Sequence, residues 1–164
     1  MVDEAAEKMG NAWWKYFPRK DLSNILAKLL EDNGYFVTYQ DGPSEKGADL
    51  IIEIENAFIK EPILIGVQVG SYQDEVSKHT VREKMEQLLT GWEDNKLKYG
   101  ALVLAGKCGR DAHSVIDDHN HKNPDQRITL LDGRELAMLI LSAAILVVGA
   151  VIAFLQNDLK KRPS

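Results

Sequence analysis

Apolar positions recur along this chain with two different periods. Between Asp21 and Asp32, Leu22, Ile25, Leu26, Leu29 and Leu30 repeat at spacings of three and four, and Asn33-Gly34 follows as a stop. That period predicts a helix with one buried face. Gly34 to Gln40 is rich in β-branched and aromatic residues and predicts a strand, closed by the turn residues Asp41-Gly42-Pro43-Ser44. Asp49 to Glu55 predicts a second strand. Pro62 to Val69 predicts a third, and its near-continuous apolar run suits a central position buried on both faces. A long helix is expected from Asp74 to Trp92, with Val76, Val81, Met85, Leu88 and Leu89 inward. Tyr99 to Ala105 predicts a strand, Arg110 to His119 a helix and Arg127 to Leu131 a fifth strand. Asp132-Gly133 then turns the chain into a last helix. The order places a mixed sheet between helices in an α/β domain, its first three strands a meander and its later ones alternating with helices.

The last helix changes the picture. From Leu136 to Leu155 the chain runs twenty residues without a charge. A hydrocarbon core of about 30 Å needs about 20 such residues. Lys160, Lys161 and Arg162 follow, where they could reach headgroups. The expected organisation is an N-terminal arm at 1–18, a folded domain at 19–135, an apolar, membrane-spanning helix at 136–157 and a basic tail at 158–164. The competing reading buries that helix in the domain or in an oligomer. Gly149 and Ala153 form a small-xxx-small pair that would let two such helices approach, which suits a homo-oligomer. The arm carries Trp13-Trp14-Lys15-Tyr16-Phe17, suited to an interface or to packing back on the domain.

Composition narrows the function classes. The 164 residues hold 20 Lys and Arg against 25 Asp and Glu, a formal net charge of −5, so any nucleic-acid contact needs a local basic face. One cysteine, Cys108, excludes an internal disulfide framework and a cysteine-rich zinc site. The acidic start lacks the apolar stretch of a secretory signal.

Several phrases, in order, carry a family resemblance: LLEDNGYFV at 29–37, GADLII at 47–52, IGVQV at 65–69, GALVLAG at 100–106, AHSVIDDH at 112–119 and ITLLDGRELAMLI at 128–140. Together they resemble the Mrr-like branch of the PD-(D/E)xK, restriction-endonuclease-like nucleases. The resemblance implies that fold, Mg²⁺-dependent hydrolysis of DNA phosphodiesters, and foreign or modified DNA as the partner. It implies that Asp49 is the metal-binding aspartate and that Gln68 is the second oxygen ligand on the third strand. In the family pattern a lysine stands two residues after that glutamine, on the same side of the strand. Here that position is Gly70, and the family's first-helix glutamate corresponds to Ser23. Glycine supplies neither charge nor proton, so this chain is either a nuclease with a displaced lysine or a catalytically degenerate member acting as a membrane-anchored nucleic-acid-binding or scaffold subunit. Lys46, Lys60 and Lys78 are the candidate replacements nearby in sequence.

Two further groups are weaker candidates. Lys107 and Arg110 flank a glycine-containing loop before a helix start and could contact a phosphate. Asp117, Asp118, His119 and His121, with His113 upstream, carry metal-ligand chemistry but fit no common zinc spacing. A DNA-directed domain with a membrane span is expected to face the cytoplasm; without the span, a soluble cytoplasmic oligomer is the alternative.

Overall fold

A computed structural model describes residues 19–39, 47–55, 57–58 and 60–161. The aromatic arm, the turn at 41–44, Lys46 and residues 162–164 lie outside the described residues. The elements run α1 (Arg19–Asp32), β1 (Phe36–Tyr39), β2 (Leu50–Ile54), β3 (Ile63–Ser71), α2 (Lys78–Thr90), β4 (Tyr99–Ala105), α3 (Arg110–Lys122), β5 (Ile128–Asp132) and α4 (Gly133–Lys161). The type and order of every element agree with the hydrophobic pattern.

The five strands form one sheet in the order β1-β2-β3-β4-β5. β1, β2 and β3 pair antiparallel, whereas β3, β4 and β5 pair parallel. β3 is therefore the seam between two kinds of pairing. On one face Leu22, Leu26 and Ala27 of α1 and Leu136 of α4 pack on Leu50, Val67, Val69, Val103 and Ala105. On the other, Val81, Met85 and Leu88 of α2 and Ala112 and Ile116 of α3 pack on Ile51, Leu102, Leu104, Ile128 and Leu130.

Local chemistry explains the ends. α1 stops where Tyr35 N–H bonds Leu30 O (3.1 Å) and Gly34 N–H bonds Glu31 O (2.9 Å), with Gly34 at φ 87°. This left-handed closure suits glycine. The helix expected from Asp74 begins at Lys78, because Ser77 is its cap and accepts from Thr80 N at 3.1 Å. Val76 instead forms an isolated bridge with Cys108. α4 starts with a reciprocal cap. Asp132 Oδ1 accepts from Arg134 and Glu135 N–H, and Glu135 Oε2 accepts from Asp132 N–H, all at 3.0 Å.

One boundary needs correcting, and one expectation is not met among the described residues. β3 does not end at Val69 but continues through Gly70 to Ser71, which puts Gly70 inside the sheet. The membrane span expected over 136–157 is not met among the described residues, where no helix is long and apolar enough to cross a membrane. The backbone there is one 29-residue helix. The side chains of 143–151, in the middle of the uncharged run, fall outside the described residues.

Candidate active site

Asp49 stands immediately before β2, and Leu50 faces Val67 in β3, so Asp49 and Gln68 are neighbours across the antiparallel pair. The Asp49 N–H donates to Val67 O at 2.7 Å, and its Oδ2 accepts from the Val69 N–H at 2.8 Å. The carboxylate is thereby fixed against the backbone of the strand that carries Gln68.

Val67 and Val69 point toward α1. Period-two alternation turns Gly66, Gln68 and Gly70 to the opposite face, beneath α2. Gln68 is only 1% exposed there. Its Nε2 donates to the carbonyl of Gly47, which fixes the amide orientation, since a carbonyl can only accept. Its Oε1 is the one buried side-chain polar atom without a hydrogen-bond partner among the described residues. An orphaned buried acceptor costs about 1–3 kcal/mol. A hard divalent cation is bound through oxygen, and an amide oxygen beside a carboxylate meets that requirement. Asp49 and Gln68 thus fit such an ion.

Gly47, at φ 102°, brings the chain against the end of α2: a Cβ built on it would lie 3.0 Å from Gly91 Cα. This close approach holds the carbonyl that receives Gln68.

The position of the expected lysine is occupied from elsewhere. A Cβ built on Gly70 would stand 2.5 Å from Tyr72 Cε2 and 2.7 Å from its hydroxyl oxygen. The Tyr72 ring lies over Gly70 and fills the volume through which a lysine stem would pass. Sequence reasoning missed Tyr72, because its place on the face of Gly70 depends on β3 running two residues further than its apolar stretch.

The three candidate lysines are not gathered at Asp49. Lys60 is exposed in the connection at the opposite end of the β2–β3 hairpin. β2 separates the two by five residues, or about 16 Å at roughly 3.3 Å each. Lys78 is exposed at the first position of α2. Lys46 lies outside the described residues. Ser23 is half-buried in α1, on the far side of the sheet from Gln68.

The other candidates separate as well. Lys107 and Arg110 are both exposed beside the start of α3. A carboxylate already stands there, because a Cβ on Gly109, the N-cap, would lie 2.8 Å from Glu75 Oε1. Asp117, Asp118 and His121 are exposed. His119 is buried, with Nε2 2.8 Å from Gln126 O. Asn120 clamps Ile128 through two bonds of 2.8 Å. The segment therefore locks α3 to the start of β5 rather than forming one metal cluster. His113 meets different partners: His113, Asp132 and Glu135 each bring a ligand-capable atom within 4.8 Å of the others. His113 Nε2 is 3.6 Å from Asp132 Oδ2, while both carboxylates also serve the α4 cap. The neighbouring Cys108 thiol is pushed up to about 12, by burial first and then by the carboxylates of Asp132, Glu135 and Glu75. It is a neutral thiol at physiological pH.

The fold has counterparts among known proteins. The family described as restriction endonuclease, in its Mrr-type catalytic form, matches residues 15–140. Among solved structures, the DNA modification-dependent restriction endonuclease AspBHI superposes with a TM-score of 0.57 at 16% identity, over 87% of this chain and 36% of that one. Among curated proteins, a trigger factor of Geobacillus kaustophilus (strain HTA426) is 28% identical over 132 residues, covering 69% of this chain and 31% of that protein. The chain thus spans about a third of the length of either relative.

Proposed function

Because the chain belongs to the Mrr-like restriction endonuclease family, we propose that it is a DNA-directed phosphodiesterase that uses a divalent cation such as Mg²⁺, acting on foreign or modified duplex. The observation that carries this reading is the buried, unpaired Oε1 of Gln68 beside the fixed carboxylate of Asp49. Asp49 and Gln68 would hold the cation. The chemistry such an ion would supply, held by Asp49 and Gln68, is Lewis-acid polarisation of the phosphate and of the attacking water. In hydrolysis a water oxygen would bond to phosphorus and give up a proton to solvent, one ester P–O bond would break, and the departing sugar oxygen would take up a proton from solvent. Asp49 supplies one negative charge and Gln68 a neutral dipole, so cation affinity is expected to be weaker than at a site with two carboxylates.

A second reading is favoured by one specific observation. Tyr72 over Gly70 removes the place for the strand lysine, which suits a member that binds DNA, or serves as a subunit, without cutting. The two readings part in a cleavage assay with Mg²⁺ or Mn²⁺ on modified and unmodified duplex. Metal-dependent cleavage by the intact chain that vanishes in Asp49→Ala supports hydrolysis. Binding without cleavage, converted to cleavage in a Gly70→Lys/Tyr72→Ala chain, supports the second.

We also propose attachment to a membrane through 136–157, with the domain in the cytoplasm. The support is the uncharged run from Leu136 to Leu155. Leu139 and Ile152 of α4 are 42% and 50% exposed, apolar surface that would be covered by lipid or by a second copy in a homo-oligomer. Fractionation decides: recovery in the membrane pellet, resistant to high salt, supports attachment, and a salt-independent soluble oligomer supports the alternative.

A further inference from the structure

We infer that Lys84, on α2, supplies to this site the cation that Gly70 cannot; the inference rests on the metal-site reading of Asp49 and Gln68. It comes from where the helix crosses the sheet. α2 begins at the C-terminal ends of the parallel strands, where a Cβ on Gly106 would lie 2.7 Å from Val76 Cγ2. It ends over their starts, where a Cβ on Gly100 would lie 2.9 Å from Trp92 Cζ3. The helix therefore runs antiparallel to β3. Leu88 marks the register: its Cδ1 lies 3.0 Å from a Cβ built on Gly66. One turn back along α2, about 6 Å, is Lys84. Two residues forward along β3, about 6.6 Å, is Gln68. Lys84 and Gln68 thus stand at the same level, and Asp49 is the neighbour of Gln68 across the pair.

The rotation of the helix agrees with its register. Gly91 follows Lys84 by seven residues, close to two whole turns, so both lie on one flank of α2. Gly91 is the residue that Gly47 approaches, and the Gly47 carbonyl receives Gln68. The opposite flank, with Arg82 and Met85, shares a cavity with Val115, Asp118 and His119 of α3. Lys84 therefore occupies the flank above the β2–β3 edge, where it is half-buried. Its Nζ donates to Gln87 Oε1 at 3.1 Å.

A cation there would offset charge developing on a phosphate held by the ion, the service the strand lysine performs in the family pattern. It would also repel the divalent cation itself, and that gives a readout independent of catalysis. The test is a Mn²⁺ titration of the full chain, read by the spin-resonance signal of free Mn²⁺ and by thermal stabilisation, with DNA cleavage in parallel. The expected results are weaker Mn²⁺ binding in Asp49→Asn, by about tenfold, and tighter binding in Lys84→Met, by about three- to tenfold. Lys84→Arg, which keeps the charge, should hold Mn²⁺ within about twofold of the parent. Cleavage should fall about 10²-fold or more in Lys84→Met and be partly retained in Lys84→Arg. Unchanged Mn²⁺ affinity in Lys84→Met, with Asp49→Asn still weakened, overturns the inference and leaves the metal site standing. Cleavage unaltered by Lys84→Met overturns it equally. Mn²⁺ binding indifferent to Asp49→Asn removes the metal site at these residues, and the inference with it.

Discussion

The two faces of β3 do different work. Toward α1 the strand presents Val67 and Val69, packed with Leu22, Leu26, Leu50 and Val103 into a dry apolar layer. Toward α2 it presents Gly66, Gln68 and Gly70: two positions with no side chain and one buried amide. The first face is filled by its own residues. The second is filled from outside, by Leu88 and Leu97 over Gly66 and by Tyr72 over Gly70. The contrast teaches that one strand can hold the domain together with one face and keep a candidate site on the other. It also predicts that the two faces can be damaged separately.

The largest effect is expected from Asp49→Ala, which should lower metal-dependent cleavage by about 10³-fold, about 4 kcal/mol on the barrier, with the fold retained by circular dichroism. On the dry face, Leu22→Ala should cost about 3 kcal/mol of stability in urea denaturation while Mn²⁺ affinity stays unchanged, because it opens a cavity remote from the oxygens. A comparable loss of Mn²⁺ binding in that variant would break the separation of faces. Gly70→Ala drives a methyl group into Tyr72 and should cost about 1–3 kcal/mol in the same measurement. Combination with Tyr72→Ala should be non-additive, since the clash is then absent. Gln68→Met removes the orphaned acceptor but also the donor to the buried Gly47 carbonyl, so the two effects offset and stability should stay within about 1 kcal/mol of the parent. The same variant should bind Mn²⁺ about tenfold more weakly, which titration of the purified variant would read. The smallest effect concerns Cys108. Its thiol is held up at about 12 against an ordinary value of 9.0, so alkylation by iodoacetamide should remain slow at pH 9 in the folded chain and quicken in denaturant. The unfolded thiol loses its proton first, so this group takes stability away as pH rises above about 9.

Much of the fold was legible because periodicity reports burial directly. The spacing of Leu22, Leu26 and Leu29 and the run from Ile63 to Val69 each admit few alternatives. Asp49 and Gln68 were legible only as a match to a family pattern; their pairing and the orphaned Oε1 are properties of the strand register. Tyr72 was not legible, since it lies beyond the apolar stretch and shares the face of Gly70 only because β3 runs on to Ser71. Lys84 reads in sequence as an ordinary polar position of an amphipathic helix, and proximity along the chain pointed to Lys46, Lys60 and Lys78 instead. Only the crossing of α2 over β3 singles it out. The residues from Asp117 to His121 show how composition alone can suggest a site. Their composition resembled a metal site, but His119 and Asn120 spend their polar atoms on the backbone at Gln126 and Ile128.

The seam at β3 has a consequence for the order of assembly. β2 and β3 are joined only by residues 55–62, so the pairing that sets Asp49 beside Gln68 closes a short loop at small entropic cost. β3–β4 and β4–β5 must each wait for a helical crossover, and parallel pairing of that kind is slow. The oxygen half of the candidate site thus belongs to a local hairpin, while Lys84, its proposed charge partner, arrives with the first crossover. A chain caught between the two events would have its candidate ligands in register and its charge partner still at large.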